Sequence, residues 1–330
     1  PAEAGGRAPR AQRPPQIPSG WRMGSFSALI SGASHESAAL DHDARILPQR
    51  SELDEAGDEA AAEADAGVLL PPAADDILRF PRGPAAGDCL HAAFENVDFT
   101  DPDTWDDAIA AALRAHPQPA ANAAEAERHP RMLRHLLEDV LATALVEAVG
   151  RAPLLLSRIA KTQRMVELGF QLPAPHLSAA RLNAWLADKG YRMPRLGFSD
   201  LAGYLKGFID LVFEHDGRFW VLDWKSNHLG ERPADYGPAA LEGAMQSHGY
   251  HLQHLLYTVA LHRHLARSLP GYDYDTHFGG VLYLFVRGVR PGWHAGGGPA
   301  GVFRHRAPRQ VIEALDDLLA ARARVEGVAH

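Results

Sequence analysis

The stretch that decides the fold is YLKGFIDLVFEHDGRFWVLDWKS, residues 204–226. Two runs rich in β-branched and aromatic residues flank the pair Asp216 and Gly217, and an Asp-Gly pair in this setting is a strong signal for a β-hairpin. If these two residues form the loop, Asp210 lies directly opposite Asp223. Opposed residues have Cβ atoms about 4.5–5.5 Å apart, and like charges so placed destabilise a sheet. The pair therefore requires a cation between the two carboxylates.

The same hairpin predicts the position of a lysine. Lys225 stands two residues after Asp223, so the period of two along a strand places both on one face. A four-residue loop would preserve that face, whereas a three-residue loop with a bulge would shift the partner by one. Solvated charges on an exposed strand are the ordinary alternative. Here Asp210 shares its face with Phe208 and Val212, and charges among apolar neighbours are usually paired or metal-bound.

Charge is distributed unevenly along the 330 residues, whose formal net charge is −8. Twelve acidic residues and two arginines lie between Glu36 and Asp76, a net of −10 that leaves +2 for the remainder. We interpret residues 1–76 as a Pro/Ala-rich and acidic linker with a short docking segment near 21–30, and residues 77–330 as the folded domain. Because this domain is nearly neutral, it attracts polyanions only weakly.

Composition excludes several classes of protein. Cys89 is the only cysteine, which rules out an internal disulfide and a cysteine-based zinc or iron–sulfur site. Because no run approaches the roughly 18 apolar residues of a membrane span, we expect no membrane partner and a cytoplasmic location. No phosphate-binding loop of the G-x-x-x-x-G-K-[ST] type occurs, so an ATP-driven motor would lie outside this chain. The opening at Pro1 suggests a piece of a longer polypeptide.

Apolar periodicity predicts an α/β fold. Helices are predicted at about residues 86–97, 103–115, 129–149, 178–189, 238–267 and 308–325. Strands are predicted at about residues 165–172, 204–213, 218–225 and 278–286.

The order G-F-I-D followed by L-D-W-K-S resembles the PD-(D/E)XK nuclease superfamily. Blocks spread over about residues 77–325 narrow the resemblance to the nuclease domains of RecB-type helicase-nucleases in bacteria. Besides the hairpin they are FPRGPAAGDCLHAAFENVDF (80–99), VELGFQLP (166–173), AMQSHGYHLQHLLYTVALHRHL (244–265) and YDYDTHFGGVLYLFVRGV (272–289). This resemblance implies a restriction-endonuclease-like core, in which helices flank a mixed central sheet.

The resemblance also implies roles for individual residues. Asp210, Asp223 and Lys225 would be the catalytic side chains. His91, Asp210, Asp223 and the backbone carbonyl of Trp224 would hold a metal ion. Because hard oxygen ligands dominate this set, Mg²⁺ is the expected cofactor, with Mn²⁺ as a substitute.

Further residues would support the site. Glu167 matches an acidic position in the strand before the hairpin, whereas Gly169 stands where a second acid is expected. Tyr250, Gln253 and Tyr257 form one stripe of the helix that carries HGYHLQHLLY. The resemblance would align this stripe with the active-site cleft, and a polar-aromatic outer face is the alternative from periodicity. We assign no metal to the histidines of this helix.

The implied activity is that of an exodeoxyribonuclease V-type DNA nuclease. It would hydrolyse phosphodiester bonds in single strands from unwound duplex ends, during double-strand-break repair and homologous recombination. RecC-like and RecD-like subunits and a RecA-like recombinase would be its partners besides DNA. The alternatives are the AddA-type nuclease of related complexes and a catalytically silent nuclease fold that only binds DNA or a partner.

Overall fold

The computed structural model of the chain describes residues 22–31, 72–147 and 152–321. Most of the predicted linker, residues 1–21 and 32–71, therefore lies outside the described residues. The helices are α1 (Phe26–Ser31), α2 (Pro84–Asn96), α3 (Trp105–Ala115), α4 (Ala123–Ala126), α5 (His129–Ala142), α6 (Ala179–Asp188), α7 (Pro238–Ser247), α8 (Tyr250–Ser268), α9 (Tyr274–His277) and α10 (Arg309–Leu319). The strands are β1 (Arg22–Ser25), β2 (Arg164–Leu177), β3 (Leu201–His215), β4 (Arg218–Lys225), β5 (Phe278–Phe285), β6 (His294–Ala295), β7 (Gly298–Pro299) and β8 (Val302–His305).

The long strand β3 is the centre of a mixed six-stranded sheet. The strands follow the order β1-β3-β4-β5-β8, and β2 also pairs with β3. β2 is antiparallel to β3 over almost its whole length, whereas β1 pairs in parallel near the start of β3 and β4 pairs antiparallel near its end. β4 and β5 are parallel, and β8 returns antiparallel to β5. The predicted mixed sheet with flanking helices is confirmed.

The hairpin between β3 and β4 has the two-residue loop that the sequence predicts. Asp216 has φ 52° and Gly217 has φ 72°, the left-handed pair that suits a tight hairpin turn. The backbone ladder runs from the turn to the pair Leu211 and Leu222. It therefore ends one step before the two predicted aspartates, which lie just beyond the last paired residues.

Helices cover both faces of the sheet, and each face has its own core. Val212 and Val221 are buried in the core that includes α6, α7, α8 and α10, here called the α8 face. Leu211, Leu222 and Trp224 are buried in the core that includes α2, α3 and α5, here called the α2 face. The alternation of side chains along β4 divides its residues between the two cores. Along β3 the alternation breaks between Ile209, which is buried on the α8 face, and Leu211, which is buried on the α2 face. The prediction that Phe208 and Val212 share a face is therefore wrong.

The helix predicted over residues 238–267 is wrong in one respect, because it is two helices. α7 ends at Ser247, and Gly249 adopts a left-handed φ of 70° before α8 begins at Tyr250. A Cβ at Gly249 would lie 2.6 Å from Cδ1 of Ile30 in α1, so a larger residue would clash there as well as strain the backbone. Among the described residues, no helix is long and apolar enough to cross a bilayer.

A buried arginine ties the entrance of α2 to the end of β4. Arg287 is 1% exposed, and its guanidinium donates hydrogen bonds of 2.6–3.0 Å to the carbonyl groups of Ile77, Phe80, Pro81 and Ser226. Burial lowers the pKa of Arg287 to about 10, so the side chain remains charged at neutral pH. Only a planar group with several fixed donors can satisfy this set of carbonyls.

We expect Arg287→Lys to destabilise the fold by about 2–4 kcal/mol, because a lysine cannot reach all four carbonyls and leaves buried acceptors without donors. Urea denaturation measures the free energy of unfolding. The matched control is Arg267→Lys at an exposed position of α8, which should change stability by less than about 0.5 kcal/mol. Equal stability of the two variants would contradict the structural role of Arg287.

Candidate active site

Asp210 lies between α2 and the end of β4. Its Oδ2 accepts a hydrogen bond of 2.9 Å from the backbone N–H of Trp224 and lies 3.5 Å from Nδ1 of His91. His91 is 2% exposed. The structure thus brings the predicted imidazole of α2 and the predicted aspartate of β3 together.

The side chain of Trp224 fixes the end of β4 against α2. Its ring stacks on Phe94 with centroids 4.1 Å apart and an interplanar angle of 11°. Phe94 lies one turn beyond His91 on the same helix. Packing of the two rings therefore sets the distance between the helix that carries the histidine and the strand that carries the second aspartate.

Asp223 and Lys225 form a buried ion pair, with Nζ of Lys225 2.6 Å from Oδ2 of Asp223. Both residues are 1% exposed. The Lys225 ammonium also lies 3.9 Å from the ring centroid of Tyr250 and 5.2 Å from that of Tyr283. Burial of a charge is costly unless opposite charge or a π face compensates it. The predicted lysine is therefore held by a carboxylate and two aromatic rings.

The predicted stripe of α8 is buried behind the lysine. Tyr250, Gln253 and Tyr257 are each at most 1% exposed, so the interpretation as an outer face is wrong. The hydroxyl of Tyr283 donates to Oε1 of Gln253 at 3.1 Å, and Nε2 of Gln253 donates to the Tyr257 hydroxyl at 3.0 Å. Tyr250 contacts Lys225 directly, whereas the other two residues of the stripe act through Tyr283.

Sequence reasoning missed Tyr283. Its position in β5 pairs with Asp223 in the parallel ladder, which brings its ring toward Lys225. A signal was available, because Tyr283 is the one polar aromatic residue within the apolar strand FGGVLYLF. Only the pairing of β5 with β4, however, connects that residue with the hairpin.

Glu95 is a second residue that sequence reasoning missed. Burial raises its pKa to about 7, with further increases from the negative charges of Glu167 and Asp210 and a partial offset from His91. The available signal was spacing, because residues four apart share one face of a helix and Glu95 follows His91 by four. Glu95 therefore belongs to the acidic surroundings of Asp210.

The backbone of β2 is distorted at Glu167. This residue has φ 50° and stands between two residues that pair with β3, Val166 and Leu168, at the position opposite Asp210. A left-handed conformation costs a residue with a side chain about 1–2 kcal/mol, and such strain occurs most often at functional sites. The distortion keeps the predicted acid within electrostatic reach of the site.

The donors in this region suit a hard divalent cation. Asp210 and Asp223 offer carboxylate oxygens and His91 an imidazole, the types of ligand that Mg²⁺ or Mn²⁺ accepts. Burial is the main cause of the raised pKa of Glu95, and the negative charges of Glu167 and Asp210 raise it further. A cation would relieve the repulsion among these carboxylates. Within the described ranges, no three His, Cys, Asp or Glu side chains already surround a common point, and the Asp223 carboxylate contacts Lys225 instead.

Comparison with known proteins identifies the family. A family model of the PD-(D/E)XK nuclease superfamily matches residues 62–328. The chain belongs to this superfamily. Asp210 and the triplet Asp223, Trp224 and Lys225 correspond to the aspartate and the D-x-K of the family name, with Ile209 in the place of its proline. PD-(D/E)XK nucleases generally use divalent metal ions, in agreement with the donors described above.

Individual relatives of known name give a more specific similarity than the superfamily. The chain is 35% identical over 273 residues to the RecBCD enzyme subunit RecB of Escherichia coli (strain K12). It is 32% identical over 302 residues to the subunit of the same name from Haemophilus influenzae and 34% over 328 residues to that from Mycobacterium tuberculosis. These alignments include 82%, 90% and 92% of this chain but 21%, 23% and 29% of the relatives. The chain thus spans less than a third of their length.

The acidic environment of this PD-(D/E)XK site predicts a pH-dependent stability. Folding raises the pKa of Glu95 from its ordinary value of 4.5 to about 7. A carboxyl shifted in this direction stabilises the protein fully at pH values below 4.5, and this contribution is lost as the pH rises through about 7. In EDTA at pH 8, Glu95→Gln should therefore raise the melting temperature by about 2–4 °C. The gain should shrink as the pH falls toward 4.5.

The control for this experiment is Glu127→Gln, which removes an exposed carboxylate just after α4. Its melting temperature should follow the parent at both pH values. A gain for Glu95→Gln of the same size at pH 8 and at acid pH would contradict the assigned cause.

Proposed function

We propose that this chain is the nuclease portion of a RecB-type helicase-nuclease, which hydrolyses phosphodiester bonds of DNA with Mg²⁺ as cofactor and Mn²⁺ as a substitute. The observation that carries the proposal is the buried Asp223 and Lys225 pair at 2.6 Å, one strand away from Asp210 with its contact to His91. A buried pair of lysine and carboxylate at this position has no evident structural purpose, because well-packed apolar residues would be at least as stable.

In this proposal the metal is held by His91, Asp210, Asp223 and the backbone carbonyl of Trp224. A bound divalent ion supplies charge neutralisation on the phosphate and lowers the pKa of a coordinated water. The hydrogen bond from the Trp224 N–H orients the Asp210 carboxylate, and the stacked ring of Trp224 holds its own carbonyl in place. Glu95 and Glu167 add negative charge that favours cation binding.

Lys225 is proposed to orient the attacking water or to stabilise negative charge that develops on the phosphate. Its ammonium is confined by Asp223 and by the rings of Tyr250 and Tyr283. Gln253 fixes the hydroxyl of Tyr283 from behind. These contacts restrict the lysine to one position, and their burial excludes bulk water from it.

The substrates and partners are proposed from the names of the relatives, which are subunits of the RecBCD enzyme. We propose that RecC-like and RecD-like subunits deliver single strands from unwound duplex ends, and that a RecA-like recombinase receives the resulting strand. The setting would be double-strand-break repair and homologous recombination. Delivery by other subunits would also explain why the acidic chain needs no strongly basic surface of its own.

The decisive experiment measures degradation of linear and circular DNA by the purified chain, with and without Mg²⁺. Asp223→Asn should reduce the rate of cleavage at least about a thousandfold, and Lys225→Ala should do the same, since each removes a group needed in the transition state. The control Asp107→Asn changes an exposed carboxylate of α3 and should leave the rate unchanged. Circular DNA reports endonuclease activity separately.

Cleavage by Asp223→Asn at the parental rate in Mg²⁺ would exclude the proposed site. Activity of the parent that persists in EDTA would exclude the proposed metal dependence. Circular dichroism of each variant should match the parent, so that loss of folding is not mistaken for loss of chemistry.

A further inference from the structure

Part of the α2 face of the sheet is left open beside Asp210. Ile209 is buried in the core of the α8 face, so its neighbour Phe208 points to the α2 face, where Asp210 lies 3.5 Å from His91 of α2. Phe208 is 43% exposed. Among the described residues no other phenylalanine, tyrosine or tryptophan is exposed.

The open face continues along β3 away from the site. Lys206 and Tyr204 precede Phe208 at steps of two and are half-buried, so aromatic and basic side chains alternate along one face. On β2, the residues paired with Phe208 and Lys206 are Gly169 and Gln171, and both are exposed. The described part of the chain thus presents a polar and aromatic strip that ends at Asp210.

The glycine in β2 allows the ring of Phe208 to lie across the sheet. A Cβ at Gly169 would be 3.3 Å from Cε1 of Phe208, closer than an ordinary contact. The ring therefore lies over Gly169 with its other surface toward solvent. This packing gives a physical reason for a glycine at the position where the resemblance described under Sequence analysis leads to the expectation of an acid.

We propose that this strip is a platform for single-stranded DNA, on which Phe208 stacks against a base and Lys206 contacts a phosphate next to the scissile bond. The inference rests on the proposed function and adds a substrate-positioning residue to it. Sheet faces that expose aromatic residues bind unpaired bases by stacking, and neighbouring basic groups follow the backbone. A base in a duplex is stacked on both sides and cannot occupy the same position.

The surroundings of Phe208 favour a nucleotide over an apolar protein partner. Its neighbours on the strip are the polar Lys206 and Gln171. Val166, which is 37% exposed, also lies on the α2 face because its partner Leu211 is buried in the core of that face. Glu167 and Leu168 separate Val166 from Gly169, the partner of Phe208, so the two exposed side chains form no broad apolar patch. Met165, which is 42% exposed, pairs with Val212, a residue of the core on the α8 face. Met165 thus belongs to the opposite face of the sheet.

Binding without cleavage tests the platform. The probes are a fluorescently labelled oligo-dT and a labelled duplex hairpin, titrated with the whole chain in EDTA. Phe208→Ala should weaken binding of oligo-dT at least about fivefold and leave binding of the hairpin unchanged. Phe208→Trp should bind oligo-dT within about twofold of the parent, with quenched indole emission upon binding, because tryptophan also stacks.

Two further variants sharpen the test. Met165→Ala removes an equally exposed apolar side chain from the opposite face and should bind both probes as the parent does. Lys206→Gln should reduce the dependence of binding on log salt concentration by about one unit, as expected for one lost phosphate contact. In Mg²⁺, Phe208→Ala should raise KM for oligo-dT without a change in kcat.

Unchanged affinity of Phe208→Ala for oligo-dT would overturn the platform, and so would an equal loss of affinity for the hairpin. The proposed function is tested separately by cleavage with the parent chain at saturating oligo-dT. If the parent cleaves oligo-dT and Phe208→Ala binds it normally, the proposed nuclease function stands and the platform is excluded. If binding of the parent depends on Phe208 but the parent does not cleave, the platform stands and the proposed nuclease function is excluded.

Discussion

The hydrogen bond from the backbone N–H of Trp224 to the carboxylate of Asp210 is the contact on which the site depends. Since the ladder of the hairpin ends one pair earlier, this bond continues the pairing of β3 and β4 through a side chain. It keeps Asp210 beside the strand that carries Asp223. The ring of Trp224 packs on Phe94, so a shift of the strand would also disturb the helix that contributes His91.

Two buried cationic side chains, those of Arg287 and Lys225, are stabilised in different ways. Arg287 is saturated by carbonyl groups of the main chain, and such fixed dipoles have no alternative partner. Lys225 is balanced by the carboxylate of Asp223 and by the faces of Tyr250 and Tyr283. A carboxylate can exchange its partner for a metal ion. The arginine therefore serves architecture, whereas the lysine is suited to chemistry.

Local chemistry made the hairpin predictable, because the Asp-Gly loop fixes the register and the register brings Asp210 near Asp223. The break at Gly249 was not predictable from periodicity, since apolar residues continue on both sides of it. Burial of Gln253 could not be inferred either, because the contacts of α8 surround the helix. Glu95 acquires its environment only because folding brings it within electrostatic reach of Glu167 and Asp210, which lie far from it in the sequence.

The first described residues have a consequence for the limits of the folded unit. β1 supplies a parallel strand to β3, and Phe26 and Leu29 of α1 are buried in the same core as α8. The unit is therefore discontinuous in sequence, with its first strand and helix lying before the acidic stretch that composition marks as a boundary. A truncation that starts at residue 77 would strip one edge from the sheet and open the core beneath it to water.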